Sequence, residues 1–154
     1  MAKAYKPILA LDFDGVIHSY TSGWQGPRCI PDEPVWGALE FIVRALEPFD
    51  VQIYSSRSNY WGGRRAMRRW LIKHYCRLAP NWRDTPEWFR CRIAGIGPDP
   101  WHYEVGFAVR QVVDAIGFPR NKPPALVTLD DRALTFDGTW PDLDALKSFK
   151  PWYK

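Results

Sequence analysis

Apolar and polar residues alternate along the chain in blocks that predict strands and helices in turn. Ile8–Leu11 is an unbroken apolar run ending in Asp12-Phe13-Asp14-Gly15, the pattern of a buried strand that leaves its sheet for a polar turn. After Pro31-Asp32-Glu33-Pro34, the residues Val35, Ala38, Leu39, Ile42, Val43 and Leu46 recur at helical spacing. Asp32 is the expected cap there, and the prolines suit a first turn. Val51–Tyr54 predicts a second strand, closed by Ser55-Ser56-Arg57. A helix then runs from about Gly63 to Tyr75, with Met67, Trp70, Leu71 and His74 on one side and the arginines largely on the other. Prolines and tryptophans break the pattern between 78 and 101, where one strand near Cys91–Ile96 is expected. Helical spacing returns at Val105, Ala108, Val109, Val112, Val113 and Ile116, stopped by Gly117 and Pro119. Ala125–Leu129 is a third apolar strand, and it ends in Asp130-Asp131. A brief strand at 134–136 and a short helix after Pro141 complete the pattern.

Strands alternating with helices predict an α/β fold: a three-layer, Rossmann-like parallel sheet with helices on both faces. The 154 residues suit one domain, 1–154, and a hydrophobic content of 46% is enough for its core. Ligands of such sheets bind beyond the carboxyl ends of the strands. All three strands here end in residues of catalytic type, Asp12 and Asp14, then Ser55, then Asp130 and Asp131.

Composition narrows the setting. Charged residues at 25% exclude a disordered or fibrous chain. The residues Met1–Lys6 lack the apolar run of a secretory signal, and no apolar stretch approaches the roughly 20 residues of a membrane span. The three cysteines, Cys29, Cys76 and Cys91, lack CxxC spacing and read as reduced thiols of a cytoplasmic protein. A zinc site from His74, Cys76 and Cys91 is poorly supported by their spacing. The net charge of +4 mildly favours an anionic partner, and it is unevenly spread. No Asp or Glu occurs between Val51 and Arg83, a stretch that carries seven arginines and Lys73. Nine tryptophans are present, and Trp36 and Trp70 sit at core spacing.

The residues at the strand ends suit attack on a phosphate monoester. Such a substrate is doubly anionic, so a carboxylate nucleophile needs a cation and a lysine to offset the repulsion. Asp12 can attack, and Asp14 can protonate the leaving oxygen and later deprotonate the hydrolytic water. Ser55 can hydrogen-bond a phosphoryl oxygen, and Lys122 can steady the charge. Hard oxygen ligands suit magnesium rather than zinc. Taken singly, each signal has a plainer meaning. A DxD pair also holds metals for sugar nucleotides, Asp130-Asp131 can merely finish a turn, and a lone lysine is usually a solvated charge. A receiver domain uses similar residue types, but there the phosphorylated Asp follows the acidic pair instead of opening the chain with DxDG.

The conjunction is similar to the haloacid dehalogenase-like (HAD) superfamily. Leu11-Asp12-Phe13-Asp14-Gly15-Val16 resembles its first motif, the strand ending at Ser55 its second, Lys122 its third and Leu129-Asp130-Asp131 its fourth, all in the family's order. The run from Lys122 to Ala133 further resembles small HAD-like proteins of bacteriophages. The resemblance implies Asp12 as nucleophile and Asp14 as acid/base. It also implies magnesium held by Asp12, the Asp14 carbonyl and Asp130, with Asp131 acting directly or through water. Ser56 is an alternative to Ser55, and Arg57 adds a candidate phosphate contact.

The family usually selects substrates with an inserted cap. Here residues 17–33 suffice only for a flap hairpin, and 78–101 for a small lid. An open site favours a nucleotide or a nucleic-acid phosphate end. Tyr20, Trp24, Tyr60 and Trp61 are placed to stack on a base, while Arg64, Arg65, Arg68 and Arg69 also fit the solvated face of a surface helix. The competing readings are a phosphatase of another small metabolite and a nucleic-acid-binding module that keeps the scaffold without the chemistry.

Overall fold

The computed structural model describes residues 5–78, 86 and 105–154 of the chain. Three strands form one parallel sheet in the order β2-β1-β3: β1 is Ile8–Leu11, β2 is Asp50–Ile53 and β3 is Val127–Leu129. Leu9, Ala10 and Leu11 are all buried. Successive strand residues point to opposite faces, so β1 is covered on both sides and its unbroken apolar run is what that position requires. β3 is an exposed flank of the sheet. Gly117 adds a short parallel bridge outside β2 by donating to the Val51 carbonyl.

Among the described residues four helices accompany the sheet: α1 at Ala38–Ala45, α2 at Gly63–Leu78, α3 at Val105–Asp114 and α4 at Leu143–Lys147. The periodic residues close the core. Leu39, Ile42 and Val43 of α1, Met67, Trp70 and Leu71 of α2, and Val109, Val112 and Val113 of α3 are buried. The apolar face of α3 packs against α2. No helix among the described residues is long and apolar enough to cross a membrane.

Four expectations fail locally. The helix anticipated after Pro34 starts at Ala38, with Gly37 at its N-cap in the left-handed region (φ 79°) and no side-chain cap. Asp32 instead accepts the Ser22 backbone N–H at 2.8 Å and the Ser22 hydroxyl, closing the 17–33 loop on itself. That loop is irregular and has no paired hairpin strands, although Ser19 and Glu33, and Val35 and Ile17, bond across its base. Trp36 is 98% exposed, because it precedes the helix whose spacing would have turned it inward. Residues 134–136 form no strand. The 78–101 lid and the Cys91–Ile96 strand lie outside the described residues, apart from Leu78 and Pro86.

Candidate functional site

Parallel pairing fixes where the polar residues emerge. Leu11 pairs with both Ile53 and Leu129, so Asp12, the turn after β2 and Asp130 leave the sheet at one rim. The Asp12 N–H still donates to the Leu129 carbonyl at 2.9 Å, tying the first acidic residue to the strand that delivers the others.

Asp12, Asp130 and Asp131 each offer a carboxylate oxygen within 4.8 Å of the other two. The Phe13 N–H donates to Asp12 Oδ1 at 2.7 Å. Burial pushes the Asp12 pKa up to about 7; the Phe13 hydrogen bond opposes this, and the charges of Asp130, Asp131 and Asp14 add to it. Asp130 Oδ1 accepts the Arg132 N–H, and its side chain is open to solvent. Both Asp131 oxygens are shut away from solvent without a hydrogen-bond partner, and Arg132 Nε is 3.5 Å from the nearer one. Buried carboxylate oxygens without donors are costly and uncommon. Three converging hard-oxygen groups, one of them unsatisfied, fit a divalent cation such as magnesium and lack the nitrogen or sulfur donors that zinc prefers. Among the described residues, no donor reaches the Asp14 carbonyl, so that oxygen is free to join them.

Gly15 makes the close approach of Asp131 workable. Its φ is +86°, and a Cβ there would stand 2.8 Å from Asp131 Cγ and 2.6 Å from a Tyr153 ring carbon. The end of the described chain seals this side. Trp152 Nε1 donates to the Gly15 carbonyl at 2.8 Å, and the Tyr153 hydroxyl lies 3.0 Å from an Arg132 guanidinium nitrogen.

Asp14 points elsewhere. Its two oxygens accept from Arg57 Nε at 3.0 and 2.8 Å, and Oδ1 also meets His18 Nδ1 at 2.9 Å. The Asp32 N–H donates to His18 Nε2 at 3.1 Å, which assigns the remaining ring proton to Nδ1, facing Asp14. Arg57 is fully buried. Its Nη1 donates to the carbonyls of Gly26, Pro27 and Cys29, and the guanidinium lies 4.8 Å from the centre of the Trp24 ring. One guanidinium thus fastens the 17–33 loop to Asp14.

The remaining candidates divide. Ser55 is buried, and its Oγ accepts the Arg57 N–H at 3.3 Å while Ser58 Oγ accepts the Ser55 N–H, a capping box that starts a 3₁₀ turn at Ser56–Asn59. Its own hydroxyl proton is still free to donate. Ser56 is exposed at the head of that turn. Arg57 is buried rather than open: Nε and Nη1 are taken by Asp14 and three loop carbonyls, while Nη2 is buried without a hydrogen-bond partner. Lys122 is exposed and makes no hydrogen bond or ion pair among the described residues, and the charges that raise the Asp12 pKa are those of Asp130, Asp131 and Asp14. The structure therefore gathers Asp12, Asp130 and Asp131, and sets Asp14 beside them but turned toward Arg57, while Lys122 makes no hydrogen bond or ion pair with them.

Sequence reasoning missed His18 and the Trp152-Tyr153 segment. The DxxxH spacing from Asp14 to His18 is a faint signal for the first, and nothing local signals the second. Comparisons with protein-family models, curated proteins and solved structures return no match.

Proposed function

We propose that the chain is a magnesium-dependent phosphomonoester hydrolase of HAD-like architecture, acting through an aspartyl-phosphate on Asp12, with a nucleotide or a nucleic-acid phosphate end as substrate. One observation carries the reading: Asp12, at the end of the central strand, shares a cluster with Asp130 and with the buried carboxylate of Asp131, which Arg132 Nε approaches to 3.5 Å without a hydrogen bond. Bound there by Asp12, Asp130, Asp131 and the Asp14 carbonyl, magnesium would supply positive charge that keeps Asp12 ionised and offsets the phosphate's own charge.

In the first step a carboxylate oxygen of Asp12 forms a bond to phosphorus as the bond to the leaving oxygen breaks, and that oxygen takes a proton from Asp14. In the second, water attacks phosphorus, gives its proton to Asp14, and the bond to Asp12 breaks. Asp14 can carry a proton only after its side chain turns away from Arg57, since both oxygens already accept hydrogen bonds. The same engagement favours a second reading, a nucleic-acid-binding module that performs no chemistry.

The deciding assay is phosphate release with magnesium from nucleoside monophosphates, 3′- and 5′-phosphorylated oligonucleotides and sugar phosphates. Turnover that disappears with Asp12→Asn and with a chelator supports the hydrolase. Silence across the panel from folded protein supports the binding module. A Lys122→Ala variant with undiminished turnover would remove the lysine from the mechanism.

A further inference from the structure

We propose that the cationic groove along the first half of α2 binds a single strand of nucleic acid; in naming the substrate class, this rests on the phosphomonoesterase reading above. The groove has a volume of about 890 Å³ and is bounded by α2, the 3₁₀ turn, Arg28 of the 17–33 loop, and Phe118 and Arg120 beyond α3. Among the described residues, no carboxylate lines it. Arg68 is committed to Asp114 and Arg64 to the Phe118 carbonyl. Arg65, Arg69, Lys73 and Arg120 are exposed and make no ion pair among the described residues.

Contacts within the fold account for Arg64 and Arg68, but among the described residues none accounts for Arg65, Arg69, Lys73 and Arg120. Arg64 and Arg68, Arg65 and Arg69, and Arg69 and Lys73 stand four residues apart on α2, where like charges repel. Arg64 and Arg65 also occupy the first turn, the end at which the helix dipole disfavours cations. A polyanion lying in the groove reverses both penalties.

Two aromatic side chains distinguish a nucleic acid from other polyanions. Tyr60 and Trp61 line the groove and are 55% and 85% exposed. Trp61 lies 5.3 Å from the Arg28 guanidinium, and Tyr60 packs against Trp24 at 5.9 Å. Exposed rings beside unpaired cations are the arrangement on which unpaired bases stack while phosphates are neutralised. Duplex bases have no free faces to offer, so the fit is to a single strand. One lining residue ties the groove to the turn that follows β2. Ser58 lines the groove and closes the capping box with Ser55, at the rim from which Asp12 emerges.

The test is fluorescence anisotropy of a labelled, unphosphorylated single-stranded oligonucleotide, titrated with the Asp12→Asn protein in chelator so that no turnover intervenes. Saturable binding that weakens linearly in log–log form with salt is expected. Arg65→Glu with Arg69→Glu should weaken it at least tenfold and flatten the salt slope. Both side chains are exposed and make no ion pair among the described residues, and circular dichroism of the variant checks that the fold is kept. Trp61→Ala should weaken it about 5- to 100-fold with the slope kept. Absence of binding at low salt overturns the proposal, as does unchanged affinity in either variant or tighter binding of a duplex. Release of phosphate from a small aryl phosphate is measured alongside. If that survives while the oligonucleotide is not bound, the groove is refuted and the hydrolase stands. If binding is seen and no phosphate is ever released, the reverse holds.

Discussion

Replacing Asp12 with asparagine should stabilise the metal-free protein, and the gain should grow with pH. In the folded chain the Asp12 carboxyl titrates at about 7 instead of 3.8, because it is buried and faces three other carboxylates. A raised folded-state pKa favours folding fully below the unfolded value, and this advantage is lost as pH rises through the folded one. Between these two values the unfolded chain ionises while the folded chain stays protonated, so the wild type loses stability across that window. The shift of roughly three pKa units, at 1.36 kcal/mol each, sets a ceiling of about 4 kcal/mol above pH 7. Near pH 4 the effect should fall below about 1 kcal/mol. Asparagine keeps an acceptor for the Phe13 N–H and carries no charge to repel Asp130 or Asp131. The assay is urea denaturation of both proteins in chelator at several pH values. Magnesium at a hundred times its dissociation constant should then recover about 2.7 kcal/mol for the wild type and much less for the variant. A variant no more stable than the wild type at about pH 8, or a stability difference independent of pH, would refute the linkage of the cluster to Asp12.

Two further outcomes probe the supports of the site. Arg57→Leu should cost about 3–5 kcal/mol, because it leaves a buried Asp14 carboxylate without its guanidinium and frees three loop carbonyls; denaturation measures the loss, and limited proteolysis within 17–33 should quicken. Gly15→Ala should cost on the order of 1–3 kcal/mol by backbone strain alone and weaken magnesium binding by displacing Asp131, both readable from thermal melts with and without the metal.

The acidic motif, the three strands and the inward faces of α2 and α3 were legible in the sequence, because each is written in local periodicity. An apolar run ending in DxD marks a strand leaving a sheet wherever that strand lies. The spacing of Met67, Trp70 and Leu71 names the buried face of a helix without reference to its neighbour. Trp36 and Asp32 misled for the same reason: their roles hung on where a helix begins, and a left-handed Gly37 moved that start by several residues.

Tertiary structure alone decided what the charged residues do. Arg57 reads as a solvent-facing phosphate contact until the 17–33 loop folds over it and the parallel sheet brings Asp14 within reach, 43 positions away in sequence. Asp131 could have been a turn residue. It becomes a buried, unsatisfied carboxylate only because Gly15 leaves room for it and the Trp152-Tyr153 segment, from the far end of the chain, closes over the same spot. Local sequence determines which residues can form a strand or a helix face, since that depends on neighbours three or four positions away. Solvation and charge pairing depend on neighbours in space, and these exist only once the chain has folded.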